Sequence, residues 1–225
     1  MSTLSVDAEK FVFNLLSREL DAVYVYHNLA HTQRVVEKTK ELTAHMNIPE
    51  IAAENLEIAA WFHDVGFTKN AANHEEKGVE IVVDFLKEKN IEPQRIHLIS
   101  KLILATKMNH KPKDDLEKII TDADCAHLAS KSFFDFNSLL REEWELAGFK
   151  KVSDLEWIKE NIHFFSVQHR FTTDYALKNW TTRKEKNLAK LMKMLKNLKE
   201  ETKKFNQKQE ALEFKKGKVE VPNEV

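Results

Sequence analysis

Apolar residues recur at intervals of three and four along most of the chain, which is the period of amphipathic helices. Phe11, Leu15 and Leu16 share one face of a helix predicted over about 5–20. Asn28 suits the cap of a second helix that runs to about Asn47, with Val35, Val36 and Leu42 facing inward. Pro49 fits the first turn of a third, which ends near His63-Asp64, just before Gly66. A loop over 67–73 precedes a fourth helix from about His74, carrying Val79, Val82, Val83 and Leu86. Pro93 opens a fifth helix that ends near Asn109. Pro112 marks the next turn, and a sixth helix from about Lys113 contains Asp122 and Asp124. A seventh covers Phe133 to Leu146 and is closed by Gly148, and Ser153 with Glu156 forms a capping-box pattern for an eighth. The last helix is the longest, from about Thr173 to near Phe214. Along it Leu188, Leu191, Leu195, Leu198, Thr202 and Phe205 alternate steps of three and four, a narrow apolar seam.

Composition agrees with an all-α fold: Gly and Pro number only four each in 225 residues, and turn-rich β proteins rarely manage with so few. The expected organisation is one helical-bundle domain over 1–180, followed by a basic helical extension and tail over 181–225. The single cysteine, Cys125, excludes an internal disulfide and a cysteine-based zinc site. No N-terminal apolar stretch resembles a signal peptide and no run has the length of a membrane span, so a cytoplasmic protein is expected. The net charge of −1 hides an asymmetry, because fourteen Lys or Arg face five Glu between Lys178 and Lys218. Such a helix is most often a solvated face. Nucleic acid, anionic lipid, or a second copy of the chain pairing along the seam into a homodimer are the other readings.

Four polar clusters break the apolar patterns: Tyr26-His27-Asn28-Leu29-Ala30-His31, Trp61-Phe62-His63-Asp64, His74-Glu75-Glu76 and Asp122-Ala123-Asp124. His27 and His31, four apart, can project from one face at a helix start. His63-Asp64 follows the apolar run 58–62, so an imidazole and a carboxylate stand at the end of a buried helix. Burying either costs several kcal/mol unless it is paired or bound to a cation. Asp124 poses the same problem after Ile119-Ile120. A divalent metal answers all of these together. Imidazoles and carboxylates suit manganese, iron, zinc or, with more oxygen ligands, magnesium, and positions remain open for water and a phosphate oxygen. Each cluster taken singly has a plainer reading, as a helix cap, a self-satisfied His-Asp pair or solvated acidic surface.

The order His31, His63-Asp64, Asp124 resembles the HD superfamily of metal-dependent phosphohydrolases. The resemblance covers about 20–150 and extends weakly to about 180. The contexts Tyr-His-Asn-Leu-Ala-His-Thr at 26–32, Ala-Ala-Trp-Phe-His-Asp-Val-Gly-Phe at 59–67 and Ile-Ile-Thr-Asp-Ala-Asp at 119–124 agree with it. Leu139-Leu140-Arg141-Glu142-Glu143-Trp144 is similar to a bacterial branch of predicted HD phosphohydrolases. The resemblance implies that His31, His63, Asp64 and Asp124 are metal ligands and that Asp122 is a neighbour that orients a ligand or binds water. The Tyr-His-Asn-x-x-His spelling also resembles cyclic-nucleotide phosphodiesterases, which implies that His27 is the general acid toward the leaving oxygen. HD proteins with two metals place two further His between the pair and the last Asp, and His74 and His110 lie in that interval. His74 and Glu75 are therefore candidates for substrate or second-metal contact, as are Lys107, His110 and Arg141 for substrate. Cys125 reads as a small buried filler beside Asp124.

The function this implies is metal-dependent hydrolysis of a small phosphorylated substrate, a nucleotide or cyclic-nucleotide-type phosphodiester, with His27 and Asp64 catalytic. The alternative is a nucleotide-sensing regulatory module with little or no turnover, relayed by the last helix. A third reading, an HD-fold oxygenase, needs a two-iron site that uses both His74 and His110.

Overall fold

The computed structural model describes residues 3–108 and 110–217, and those residues form an all-α bundle without strands. The helices are α1 Thr3–Glu19, α2 Leu29–His45, α3 Glu50–Phe62, α4 His74–Glu88, α5 Pro93–Leu104, α6 Asp115–Asp124, α7 Phe133–Leu146, α8 Asp154–His163, α9 Asp174–Asn179 and α10 Thr181–Gly217. Short 3-10 turns lie at Val65–Thr68, Ala71–Asn73 and Cys125–Ala129, and one π-turn at Phe164–Gln168.

The centre is α3. Leu56, Ile58, Ala59, Ala60, Trp61 and Phe62 are all buried, because α1, α2, α4, α5 and α6 pack around it. A helix apolar on nearly every face is stable only inside such a ring. Consequently its C-terminal end delivers His63 and Asp64 into the interior rather than to water. Gly66 then lets the chain turn under α4. A Cβ at that position would lie 1.8 Å from the His74 carbonyl oxygen, so only glycine allows the backbone this close. The His-Asp pair and the start of α4 are thereby forced together.

Most predicted helix starts agree with the structure. Asn28 caps α2, its side chain accepting from the Ala30 and His31 backbone N–H groups, and the Ser153–Glu156 capping box opens α8. Pro49 stands one residue ahead of α3 as its N-cap. The fifth helix ends at Leu104, earlier than predicted, where the Thr106 hydroxyl donates to the Ile103 carbonyl at 2.7 Å. Asn109, the predicted end, lies outside the described residues. The sixth helix starts at Asp115 instead of Lys113, because the Asp114 carboxylate caps the Glu117 N–H at 2.9 Å.

The predicted last helix is two helices. Trp180 separates α9 from α10, held by an edge contact with Phe171 at 5.4 Å and by its indole N–H donating to Glu41 of α2 at 3.3 Å. That anchor fixes the break between the two helices. Beyond it, α10 packs on α8 and on the turn after α6, burying Lys184, Asn187 and Leu191. The seam changes character along its length: Leu191 is buried, Leu195 and Leu198 half-buried, and from residue 199 to 213 every side chain is exposed. Among the described residues no helix is long and apolar enough to cross a membrane.

Candidate metal centre

Four side chains from three parts of the chain converge beneath the N-terminus of α2. The Asn28 cap sets His31 on the first turn of that helix, the end of α3 supplies His63 and Asp64, and the end of α6 supplies Asp124. One ligand atom from each of His31, His63 and Asp124 lies within 4.8 Å of the others. His31 Nε2 is 3.2 Å from Asp124 Oδ1, 3.3 Å from Asp64 Oδ2 and 3.3 Å from His63 Nε2. His63 Nε2 is 3.1 Å from Asp64 Oδ2 and 3.7 Å from Asp124 Oδ1. His31, His63 and Asp64 are buried, and Asp124 faces a cavity.

Protons are distributed to suit a cation. His63 Nδ1 donates to the Ala60 carbonyl at 2.8 Å, which turns Nε2 toward the cluster. His31 and His63 then present facing nitrogens with two carboxylates beside them. Among the described residues no Lys or Arg pairs with either carboxylate, and buried Asp64 Oδ2 faces the two imidazole nitrogens. The electrostatics point the same way. Burial alone would lower the His63 pKa, but the Asp64 charge and hydrogen bond, with Asp124 behind them, raise it to about 9. Burial also opposes charge on Asp64, yet His63 and His31 hold its carboxyl well below the usual range. A site that draws in positive charge and offers two nitrogens and two oxygens fits a divalent transition metal.

Around this cluster the remaining candidates separate. His27 lines the cavity beside His31 (ring centroids 5.7 Å apart) and stacks on Phe67 at 4.6 Å. The opposite partner of Phe67 is His74, at 4.1 Å. His74 donates from Nδ1 to the Ala71 carbonyl at 2.9 Å and points Nε2 at Asp64 Oδ1 (3.6 Å) and Glu75 Oε1 (3.5 Å). His74 and Glu75 therefore border the cluster. His110, in contrast, is bonded to buried Glu117 at 2.8 Å. Lys107 pairs with Glu76, and Arg141 pairs with Asp154 at 2.7 Å and donates to the Val152 carbonyl at 2.7 Å. None of these three lines the cavity. Asp122 orients no ligand either: its carboxylate accepts four N–H and O–H groups from Thr172 and Thr173, at 2.8 to 3.2 Å, tying α6 to the start of α9. Burial pushes the Cys125 thiol well above its ordinary pKa, with the Asp124 and Asp122 charges adding to it. It is no ready nucleophile.

Two functional neighbours escaped the sequence reading of site residues. Glu143 of α7 is fully buried and bonds to His27 Nδ1 while accepting the Tyr26 and His27 backbone N–H groups at 2.8 Å each. His127, three residues after Asp124, bonds the Asp124 carbonyl through Nδ1 at 3.2 Å and lines the cavity. For Glu143 the signal was an acid within an apolar helix pattern, but nothing in sequence links it to a residue 116 positions away.

The arrangement defines a class: an all-helical bundle whose His and Asp side chains converge closely enough to hold a metal ion. The family is more specific still. Residues 28–129 match the HD domain family, so that part of the chain is an HD domain, a family whose members are typically metal-dependent hydrolases. A crystal structure of a Lactobacillus plantarum protein is similar in fold, with a TM-score of 0.64, 18% identity, and coverage of 90% of this chain and 98% of that one. No curated protein matches the chain in sequence.

Proposed function

We propose that the chain hydrolyses a phosphate ester, a nucleotide or cyclic-nucleotide-type phosphodiester, at a divalent cation held by His31, His63, Asp64 and Asp124. The observation that carries this reading is the convergence of those donors beside a histidine, His27, whose Nδ1 is held by a buried glutamate. Manganese, iron, zinc or magnesium there would supply a Lewis acid that acidifies water and offsets charge on the phosphoryl oxygens.

The other steps belong to the chain's own side chains. With Glu143 engaging Nδ1, the transferable proton of His27 sits on Nε2, toward the cavity, where it serves the leaving oxygen. Asp64 directs one oxygen to the paired imidazoles and the other toward His74, which suits it to orient the attacking water. His74 and Glu75 are the positions for substrate or second-cation contact. Within this reading residues 1–180 are the catalytic domain and 181–225 an extension through which a second copy pairs.

One observation favours the regulatory alternative. Asn187 of α10 donates to the Leu128 and Ser130 carbonyls at 2.8 and 2.9 Å, on the turn that follows Asp124, so cation or ligand binding and the last helix share a support. A panel of cyclic mononucleotides, cyclic dinucleotides, nucleotides and model diesters, assayed with each of the four metals, separates the two. Turnover that Asp64→Ala abolishes supports the hydrolase. Tight nucleotide binding without turnover supports the regulatory module.

A further inference from the structure

We propose that the phosphoester accepted here carries a single phosphate joined to a flat, uncharged organic group. This rests on the phosphoester reading above and concerns the far side of the same cavity. That cavity measures about 740 Å³ and touches His27, His74 and Asp124 at its metal end, a size that holds a small organic ligand. Its opposite wall is built from Phe133, Phe136, Leu140, Trp144, Trp157 and Phe164. All six lie beyond residue 129, outside the segment that matches the family, and Leu140 and Trp144 fall in the stretch that resembles one bacterial branch of it.

The wall is pre-set. Trp144 and Trp157 meet edge to face at 5.2 Å and 83°. The Trp157 indole N–H donates to Asn137 Oδ1 at 2.8 Å, and the Asn137 amide in turn donates to Asn161 at 2.5 Å. Rings held this way offer aromatic surface without first having to be ordered.

Charge on the wall sets the phosphate count. Among the described residues Lys159 is the one Lys or Arg that lines the cavity, next to Glu160. Lys107 and Arg141 are committed to ion pairs elsewhere, and the Arg34 guanidinium lies over Phe136 at 4.2 Å without lining the cavity. Polyphosphates are gripped by several Arg and Lys side chains. Here the centre would neutralise one phosphate, and the wall offers a second a single Lys, beside Glu160, among apolar rings.

Calorimetric titration of manganese-loaded protein with phenyl phosphate and methyl phosphate tests the aromatic half. Adenosine monophosphate and diphosphate at equal free manganese test the phosphate count. Phenyl phosphate is expected to bind at least about 10-fold tighter than methyl phosphate. That ratio should fall at least about threefold in Trp144→Leu and in Phe136→Leu, each checked for unchanged metal content and helical circular dichroism. The diphosphate should gain nothing over the monophosphate. Equal binding of the two esters, no binding of either, or a diphosphate about tenfold tighter overturns the proposal. Turnover of methyl and phenyl diesters in the same preparations keeps the two claims apart. Aryl preference in binding without any turnover supports this pocket and defeats the hydrolase, while turnover with equal KM for both diesters does the reverse.

Discussion

Glu143 holds His27 by backbone and side chain at once, accepting the His27 N–H at 2.8 Å with one carboxylate oxygen and bonding the ring Nδ1 with the other. Burial works against a charged imidazole, but the Glu143 hydrogen bond, with Asp64 and Asp124 nearby, raises the His27 pKa above its ordinary value. A general acid must be protonated, so a raised pKa extends activity to higher pH. Replacing Glu143 with Gln keeps an acceptor and removes the charge. Turnover should fall about 10–100-fold, the usual effect of losing an orienting partner, and the alkaline limb of the rate–pH profile should move to lower pH. An unmoved limb would mean that Glu143 only braces the loop.

The motifs that meet at the cluster, and the helix that carries each, were legible because both are local. His63-Asp64 directly ends an apolar run, and Asn28 lies within three residues of the His31 it positions. What was not legible depends on distant packing. The Glu143–His27 pair joins α7 to the loop ahead of α2, far apart in sequence, and the break at Trp180 is set by Glu41 and Phe171, not by the helix-forming residues around it. Lys107, His110 and Arg141 have the chemistry of phosphate contacts, but nearby acids occupy them.

Gly66 should tolerate no side chain. Gly66→Ala places a Cβ against the backbone at His74 and Gly78, neither of which can rotate away. The expected cost is about 1–3 kcal/mol or more, seen as a lower Tm. Metal content should fall with it, because the same turn sets the end of α3 against α4. A stable, fully metallated Gly66→Ala protein would mean that the close approach is not required.

Acid should destabilise the fold through half-buried histidines. Burial, reinforced by the Lys184 charge, depresses the His169 pKa from 6.5 to about 3. Burial likewise lowers His127, next to His31, to about 4. Above pH 6.5 both are neutral in either state and contribute nothing to the pH dependence. Below it the unfolded chain takes up protons that the folded chain refuses. Stability therefore falls as pH drops from about 6.5 toward 4, by up to about 1.4 kcal/mol per pH unit for each group. Urea titrations at pH 7, 6 and 5 should show this slope, and His169→Gln should make it shallower.

Truncation should divide α10. Every described side chain from residue 199 to 213 is exposed, so ending the chain at residue 199 should leave Tm and metal content near those of the full chain. Ending it at residue 180 removes Leu191 and the Asn187 bonds to the turn after Asp124. Tm should then drop, since losing one buried leucine alone costs about 2–5 kcal/mol. If the shorter cut is silent in Tm but converts dimers to monomers by light scattering, the exposed part of the seam is the pairing element.

His27 and His31 adjoin one another, yet they should fail in different ways. His31 Nε2 faces Asp64, Asp124 and His63, so His31→Ala should lose metal and activity together. His27 is turned toward Glu143 and the cavity, so His27→Ala should keep its metal while turnover falls about 10²–10⁴-fold, the contribution of a positioned proton donor. That deficit should shrink on a nitrophenyl ester, whose leaving group needs little protonation, and the alkaline limb should vanish if His27 alone produces it. Elemental analysis alongside rates on good and poor leaving groups decides the matter. Loss of metal in His27→Ala would make it a ligand or a support for one. An equal deficit on both leaving groups, with metal retained, would make it a substrate-binding residue, because only a proton donor is sensitive to the basicity of the oxygen it protonates.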